Sequence, residues 1–277
     1  MTMCNPYKLP DGNVQISFSG GRTSAFMLHQ ILQANGDLPD RCKVMFANTG
    51  REMPETLDFV QECAQRWNVP IIWVEYQRDK ERRKNSYRIV SHNEASRNGE
   101  PFKELIEARK YLPNAVARFC TAELKIRPMK KYLLSIGWKH WTACLGIRAD
   151  EMRRVKEDSK DRWVFWHPLV DANVTKADIT EFWKSQPFDL RLVNANGLTP
   201  KGNCDMCFLK SEATLAAIAK EHPEIAEWWI EMEQMTKGTF RNNRNLKTFV
   251  DFAQRQEDWV FNETGYFCQA DDGECTG

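Results

Sequence analysis

A six-residue segment combines hydroxyl side chains with two consecutive glycines, a combination that suits the binding of an anion. Residues 19–24 read SGGRTS and follow a short apolar stretch at Val14, Ile16 and Phe18. The apolar periodicity after the segment predicts a helix. Glycines let the backbone approach a ligand closely, and the first N–H groups of a helix carry the positive end of its dipole. The sequence therefore predicts a phosphate- or sulfate-binding loop, here called the 19–24 loop, between a strand and a helix.

The elements around this loop predict an α/β protein. Apolar runs at 43–47, 70–75 and 141–145 alternate with helical patterns. Strand and helix alternation with short connections gives a parallel sheet with right-handed crossovers. We therefore expect a doubly wound, mostly parallel sheet of Rossmann-like type. Ligands of such sheets bind at the carboxyl ends of the strands, which places residues 48–52 beside the 19–24 loop.

Composition and charge exclude several classes of protein. The 277 residues include 39 Lys and Arg against 38 Asp and Glu, so no global field directs the chain to nucleic acid. The sequence contains no run of 18 or more apolar residues, which is the length needed to span a bilayer, and the first residues lack a signal-peptide pattern. We expect a cytoplasmic protein without a membrane partner. In that compartment the nine cysteines are not expected to form a disulfide framework.

A basic segment follows the third predicted strand. The pattern over 76–118 favours a solvated loop and helix face, and it leaves open a positive arm over a phosphate-rich ligand. The basic side chains are Arg78, Lys80, Arg82, Arg83, Lys84 and Arg88.

Two further cysteines form a Cys-x-x-Cys pair at Cys204 and Cys207. The spacing is compatible with zinc, an iron–sulfur cluster or a redox pair. A zinc site needs four N or S ligands, and no second close pair follows. The spacing alone leaves these alternatives open.

Six motifs occur in one order along the chain and together resemble a known family. They are SGGRTS at 19–24, NTGREMPET at 48–56, CTAELKIRP at 120–128, GIRADEMRR at 146–154, HPLVD at 167–171 and NCDMC at 203–207. This order resembles the phosphoadenylyl sulfate (PAPS) reductase family of pyrophosphate-loop proteins, over roughly residues 14–210. The resemblance implies an adenine nucleotide alpha hydrolase-like fold. It is closest to the branch with a Cys-x-x-Cys after the sheet, and similar stand-alone proteins occur in bacteriophages.

The resemblance implies a site for an adenine nucleotide, which is PAPS, adenylyl sulfate or ATP, with Mg²⁺ expected if ATP is used. The residues implied to hold its phosphate or sulfate end are Ser19, Gly20, Gly21, Thr23 and Ser24. Those implied to lie beside it are Asn48, Thr49, Gly50 and Glu52. Lys125, Arg148 and Arg154 are implied to supply positive charge during catalysis, and the motif does not decide whether Arg153 or Arg154 points inward.

The resemblance also implies a cluster site. In the resembled reductases the partner ligands of the Cys-x-x-Cys pair are two adjacent cysteines, and this chain keeps only Cys120 of them. With Cys204 and Cys207, three ligands are matched. A fourth thiolate can come from Cys268 or Cys275, the cluster can have an open iron, or there is no cluster. We rank an iron–sulfur site above zinc, and zinc above burial alone.

The expected function is sulfonucleotide reduction by a PAPS reductase-like enzyme. The resembled enzymes place a nucleophilic cysteine in a C-terminal Glu-Cys-Gly tail, and this chain ends with Glu274, Cys275, Thr276 and Gly277, so Thr276 departs from the pattern. Cys275 would attack the sulfate sulfur, and a thioredoxin-like reductant would resolve the product. The sequence leaves open whether the enzyme forms a homo-oligomer.

Two alternatives remain open. The first is an ATP-dependent iron–sulfur sulfurtransferase acting on a nucleic acid, with a cysteine desulfurase as sulfur source. The second is a non-enzymatic, nucleotide-binding phage accessory protein.

Four parts of the chain are predicted. Pro, Asn and Gly residues after 187 end the strand and helix alternation, and helical patterns follow. We expect a C-terminal helical layer packed on the sheet. The parts are an N-terminal tail at 1–13, a nucleotide-binding α/β domain at 14–186, a Cys-x-x-Cys segment with the helical layer at 187–266, and a Cys-containing tail, expected to be mobile, at 267–277.

Overall fold

The computed structural model describes residues 5–79, 81, 84–155, 159–195, 197–241 and 244–255. The strands are β1 (Val14–Ser17), β2 (Cys42–Asn48), β3 (Ile71–Asp79), β4 (Lys84–Val90), β5 (Trp141–Cys144) and β6 (Trp163–Trp166). The helices are α1 (Arg22–Asn35), α2 (Pro54–Arg66), α3 (Glu100–Arg109), α4 (Arg127–Ser135), α5 (Pro168–Asp171), α6 (Lys176–Ser185), α7 (Glu212–Glu221), α8 (Pro223–Thr236) and α9 (Leu246–Arg255), with a π-helix (Thr121–Ile126) and a 3₁₀ helix (Ala149–Arg154). Within the described ranges, no helix is long and apolar enough to cross a bilayer.

The strands form one sheet in the order β4-β3-β2-β1-β5-β6. All neighbours are parallel except β3 and β4. β1 lies at the centre, where Ile16 is opposite Val44 on one side and Cys144 on the other. The chain builds outward from β1 in one direction through β2 and β3, and later in the other through β5 and β6. The carboxyl end of β1 is therefore the switch point of a doubly wound sheet, as predicted.

Helices cover both faces of the sheet because β-strand side chains alternate between the faces. Val44 and Phe46 of β2 face a core formed with α1, α2 and α6. Met45 and Ala47 face the opposite side, where α4 packs. This two-sided burial explains why the strands read as continuous apolar runs rather than as alternating patterns.

The C-terminal helices α7, α8 and α9 form the predicted helical layer around a separate apolar cluster. Trp229 of α8 is 1% exposed and lies edge-on to Phe102 of α3, with ring centroids 5.6 Å apart. Leu124 of the π-helix and Met206, between the two cysteines of the Cys-x-x-Cys pair, belong to the same cluster. The layer is thus packed beside the segments that carry Cys120 and Cys204.

The basic segment differs from the expected solvated loop. Part of it is β4, an antiparallel edge strand that pairs with an extended β3. Arg88 donates to the fully buried carboxylate of Glu75, with Nε 2.8 Å from Oε2. A buried carboxylate is costly unless it is paired, and Arg88 supplies the positive partner of Glu75. This contact between strands favours strand formation by the charged β4 sequence, whose local pattern predicts a loop.

Candidate functional site

The 19–24 loop lies at the carboxyl end of β1 and leads directly into α1. Gly20 has φ +81, and a Cβ atom there would come within 2.7 Å of Thr56 Cγ2. Gly21 is the N-cap residue of α1 in an extended conformation. The Ser24 hydroxyl lies 2.9 Å from Ser19 Oγ and donates to the Gly21 carbonyl oxygen at 2.9 Å. The loop is thus closed on itself, at a helix start whose first N–H groups have no intrahelical acceptors.

Two predicted cations lie in and beside the 3₁₀ helix after β5. Arg148 is 3% exposed, and its Nη1 lies 3.3 Å from Thr23 Oγ1, so it reaches the 19–24 loop. Its Nε donates to Asp150 Oδ1 at 2.9 Å. Arg154 is ion-paired with Glu151, whereas Arg153 is exposed. The inward-pointing member of the Arg153 and Arg154 pair is therefore Arg154.

Asn48 organises the end of β2 from a fully buried position. Its Nδ2 donates to Glu75 Oε1 at 2.6 Å and to the Ser96 carbonyl oxygen at 2.8 Å. Its Oδ1 accepts from the Gly50 N–H at 3.1 Å. Because these contacts use both N–H donors of the amide and engage its oxygen, Asn48 shapes the loop after β2.

Glu52 lies in a buried polar cluster beside this loop. Its carboxylate accepts from Thr49 N and Thr49 Oγ1, both at 2.9 Å. Burial raises the pKa of Glu52, and the charge of Lys125 and the hydrogen bonds from Thr49 oppose that rise. Thr49 Oγ1 is also 3.5 Å from Cys204 Sγ. The cluster therefore joins the β2 loop, the π-helix that carries Lys125, and the Cys-x-x-Cys pair.

The π-helix carries Lys125 and is held in place by contacts of Glu123. Glu123 of this helix is 1% exposed, accepts from Asn85 at 2.8 Å, and forms ion pairs with Arg109 and Arg127. Short π-helical turns next to an α-helix occur frequently at functional sites. These contacts fix the helix between Cys120, which directly precedes it, and Lys125 near its end.

Two arginines that sequence reasoning did not single out anchor the Cys-x-x-Cys segment. Arg22 donates to both carboxylate oxygens of Asp189, at 2.7 and 2.8 Å. Arg51 pairs with Asp205 at 2.5 Å, and the Asp205 N–H donates to the Arg51 carbonyl oxygen at 2.7 Å. The only sequence signal for either pair is an Arg directly after a loop glycine.

A buried lysine was also missed. Lys210 is 0% exposed, and its Nζ donates to the Gly202 carbonyl oxygen at 2.8 Å and to that of Pro200. It therefore supports the turn that leads into Cys204. In the sequence, a lysine in the short apolar stretch before a helix has no pattern that distinguishes it from a surface lysine.

The predicted cluster ligands are only partly accounted for. Cys204 and Cys207 share a tight turn, with the Cys207 N–H donating to the Cys204 carbonyl oxygen at 3.3 Å. Burial raises the pKa of the Cys204 thiol well above its usual value. Cys268 and Cys275 lie outside the described residues. Among the residues that are described, no three His, Cys, Asp or Glu side chains are arranged to hold a metal ion, so they do not fit a cluster by themselves.

A cleft of about 140 Å³ opens on the α4 face of the sheet, over β1, β5 and β6. Trp141 and Trp163 stack in its wall, with ring centroids 5.5 Å apart. Ser17, the last residue of β1, and Lys125 contribute polar groups. The remaining lining residues are Gln15, Ile126, Met129, Lys130, Ala143, Leu145 and Phe165. The cleft thus offers a flat apolar surface near the carboxyl end of β1.

A family assignment from the sequence covers most of the segments that form this site. A sequence model of the phosphoadenosine phosphosulfate reductase domain matches residues 13–188. The chain belongs to this family. The matched region contains the 19–24 loop, the loop after β2, the π-helix and the 3₁₀ helix.

Individual relatives of this PAPS reductase-family chain include a phage protein. The nin region protein ORF290 of Escherichia phage lambda is 32% identical over 210 residues, covering 74% of this chain and 69% of the relative. A protein of Methanocaldococcus jannaschii is 22% identical over 228 residues, covering 79% of this chain and 47% of the relative. The phosphate complex of PAPS reductase from Candida auris aligns with a TM-score of 0.42 and 16% identity, over 65% of this chain and 76% of that chain.

A second, wider groove of this family member lies between the β3–β4 hairpin and α3, with a volume of about 940 Å³. Its described acidic lining residues are Asp79, Glu81, Glu100, Glu104 and Glu107, and the described basic ones are Arg78, Arg88 and Lys103. Arg88 is already paired with Glu75. The described lining therefore does not favour a phosphate backbone, and the nucleic-acid partner stays a prediction.

Proposed function

We propose that the chain binds an adenine nucleotide at the carboxyl edge of its sheet and reduces a sulfonucleotide, PAPS or adenylyl sulfate. One observation carries the proposal: the 19–24 loop, the basic side chains of Arg148 and Lys125, and the Cys-x-x-Cys pair meet at the carboxyl ends of the parallel strands. Arg148 contacts the 19–24 loop through Thr23, and the Thr49–Glu52 cluster brings Lys125 and Cys204 to the neighbouring strand end. Membership of the PAPS reductase domain family supports the choice of a sulfonucleotide.

In this proposal the 19–24 loop binds the phosphate end of the nucleotide. The N–H groups at the start of α1 and the loop hydroxyls donate to its oxygens. Lys125 and Arg148 stabilise negative charge that develops as the sulfonucleotide reacts, and the buried Arg148 does so where water is largely excluded. The cleft beside Ser17 accepts the adenine ring between apolar and aromatic side chains.

The proposed reaction uses Cys275, which lies outside the described residues. Its thiolate attacks the sulfate sulfur, the bond between sulfur and the bridging oxygen breaks, and the nucleotide phosphate leaves with both bonding electrons. A cysteine thiosulfonate remains. A thioredoxin-like dithiol then attacks the cysteine sulfur and releases sulfite, and the dithiol is oxidised to a disulfide while Cys275 is regenerated. No step is routed through a metal cluster.

The binding step is tested by Gly21→Asp in the full chain. Gly21 is the extended N-cap of α1, a position where Asp is favourable, so the variant is expected to fold. A carboxylate there repels the nucleotide phosphates, and we expect binding of PAPS and ATP to weaken by about tenfold or more in calorimetry. Gly12→Asp is the control for an added carboxylate away from the site: its Cβ would meet no atom within 4 Å, although its φ of +78 adds some backbone strain. Unchanged binding in Gly21→Asp contradicts the loop assignment.

The reaction is tested by sulfite release from PAPS or adenylyl sulfate with thioredoxin as reductant. Cys275→Ser is expected to abolish sulfite release and leave nucleotide binding intact, because the thiolate acts after binding. Cys268→Ser serves as a control for the second tail cysteine. Full sulfite release by Cys275→Ser rules out this nucleophile.

One observation favours a second candidate, ATP-dependent sulfur transfer. Cys204 lies 3.5 Å from Thr49 Oγ1 at the proposed nucleotide edge, so its thiol is close enough to take part in the chemistry. This candidate predicts ATP turnover that requires an added acceptor and a sulfur donor and that is lost in Cys204→Ser. Sulfite release that survives in Cys204→Ser favours the reductase instead.

A further inference from the structure

The 187–210 segment joins α6 to α7 and contains the Cys-x-x-Cys pair. Its described residues form no helix and no strand, only isolated bridges such as that between Cys204 and Glu52. The segment is anchored to the sheet edge by side chains. Two of these are Arg22 and Arg51, each directly after a glycine of a strand-end loop.

Arg22 makes a more extensive set of contacts than an ordinary surface arginine. It is 7% exposed, although it is the first residue of α1 inside the 19–24 loop. Its guanidinium forms a bidentate pair with Asp189 and donates to Thr199 Oγ1 at 3.0 Å. It also donates to the carbonyl oxygens of Leu190 at 2.5 Å and Leu192 at 2.9 Å. One side chain thus holds both ends of residues 189–199.

The backbone of Arg22 is restrained as well. Its carbonyl oxygen accepts from Trp183 Nε1 of α6 at 2.9 Å. A guanidinium is planar and rigid, and bidentate pairing fixes its orientation. A ligand that fixes the 19–24 backbone therefore also fixes the position from which Arg22 reaches the 187–210 segment.

We propose that Arg22 is a positioning residue that couples occupancy of the 19–24 loop to the order of the 187–210 segment. The proposal rests on the proposed nucleotide binding. Asp189 is its main partner, and Thr199 carries the contact toward the turn before Cys204. By thermodynamic linkage, a nucleotide that orders this segment binds more weakly when the segment cannot reach Arg22.

Hydrogen exchange of the full chain tests the coupling. Exchange of peptides from 187–199 is measured with and without PAPS, and with and without ATP and Mg²⁺, after calorimetry has established which of them binds. In the wild type we expect bound nucleotide to slow exchange there by about fivefold or more. In Asp189→Ala the slowing is expected to disappear, and affinity is expected to fall by a similar factor, while the 19–24 loop itself is unchanged in sequence.

Two further variants keep the test decisive. Thr199→Val removes one contact of Arg22 and is expected to reduce the slowing in part, even if Asp189→Ala folds poorly. Arg191→Met, at a 63% exposed side chain in the same segment, is the matched control and should retain the full effect. Equal slowing in the wild type, Asp189→Ala and Thr199→Val overturns the coupling alone. A wild type that binds neither nucleotide overturns both this proposal and the proposed function.

Discussion

The 19–24 loop and the 187–210 segment meet at the carboxyl ends of the central strands but are held there in different ways. Backbone geometry fixes the loop: a left-handed Gly20, an extended Gly21 and the start of α1. Side chains fix the segment, chiefly Arg22 and Arg51 from elsewhere in the chain and the buried Lys210 within the segment itself. A local sequence therefore determines the loop, whereas long-range pairs determine the segment. Substitutions in the two regions should therefore differ in how much stability they remove and in how far along the chain their effects extend.

The largest effect is expected for Gly20→Ala. Gly20 has φ +81, and its Cβ would lie 2.7 Å from Thr56 Cγ2. Left-handed strain and overpacking together should lower the free energy of unfolding by about 2 to 4 kcal/mol. Urea unfolding measures this loss. Gly12→Ala shares the positive φ but has no atom within 4 Å, so it should lose only the strain component. Equal losses in both variants would mean that crowding at the loop is unimportant.

A somewhat smaller effect is expected for Lys210→Met, which tests the side-chain anchoring of the segment. The change leaves the Gly202 and Pro200 carbonyl oxygens without their buried donor. Losing hydrogen bonds from a charged group costs about 1.5 to 3 kcal/mol, and this loss is partly offset because the variant no longer buries an ammonium group. We expect about 2 kcal/mol of destabilisation, with faster hydrogen exchange centred on residues 200–207. Lys184→Met, at a 67% exposed side chain of α6, is the control. A uniform increase in exchange across the chain would contradict a local role.

The π-helix between the two regions is tested through Glu123. Burial acts to raise the pKa of this carboxyl, but hydrogen bonds from Arg109 and Asn85 and the charge of Arg127 outweigh it, so the pKa is lowered from 4.5. The folded state therefore favours the ionised form. Its contribution to stability is present above pH 4.5 and is lost as the pH falls through the lowered value.

Glu123→Gln should accordingly destabilise the protein by about 2 kcal/mol at pH 7, because it removes charge-assisted hydrogen bonds. The variant should also lose less stability than the wild type on acidification. Thermal unfolding of both proteins from pH 7 to pH 3 measures the two slopes. Parallel curves would show that Glu123 is not the group that titrates.

How much the sequence predicts follows the same contrast. The 19–24 loop, the parallel strands and α6 depend on local patterns of glycine, apolar residues and caps, so they could be predicted. β4 could not, because its charge makes the sequence look like a loop, whereas the ion pair of Arg88 with the buried Glu75 of β3 forms only across the strands. The Arg22–Asp189 pair could not either, since it joins residues far apart in the chain and no local pattern identifies the partner.

The smallest effect is expected for Thr175→Ala, in the capping box of α6, the helix that lies between the two regions. Thr175 donates from both N and Oγ1 to Asp178 Oδ2, at 2.8 and 2.7 Å. Loss of such a cap costs about 1 kcal/mol, which thermal unfolding can measure. Trp183 lies at the other end of α6 and donates to the Arg22 carbonyl oxygen. If loss of the cap frays only the first turn of α6, the Trp183 contact survives and nucleotide binding is unchanged. That result would show that the side-chain contacts of Arg22 do not depend on the start of α6. Weakened binding would instead show that α6 as a whole holds Arg22 in place.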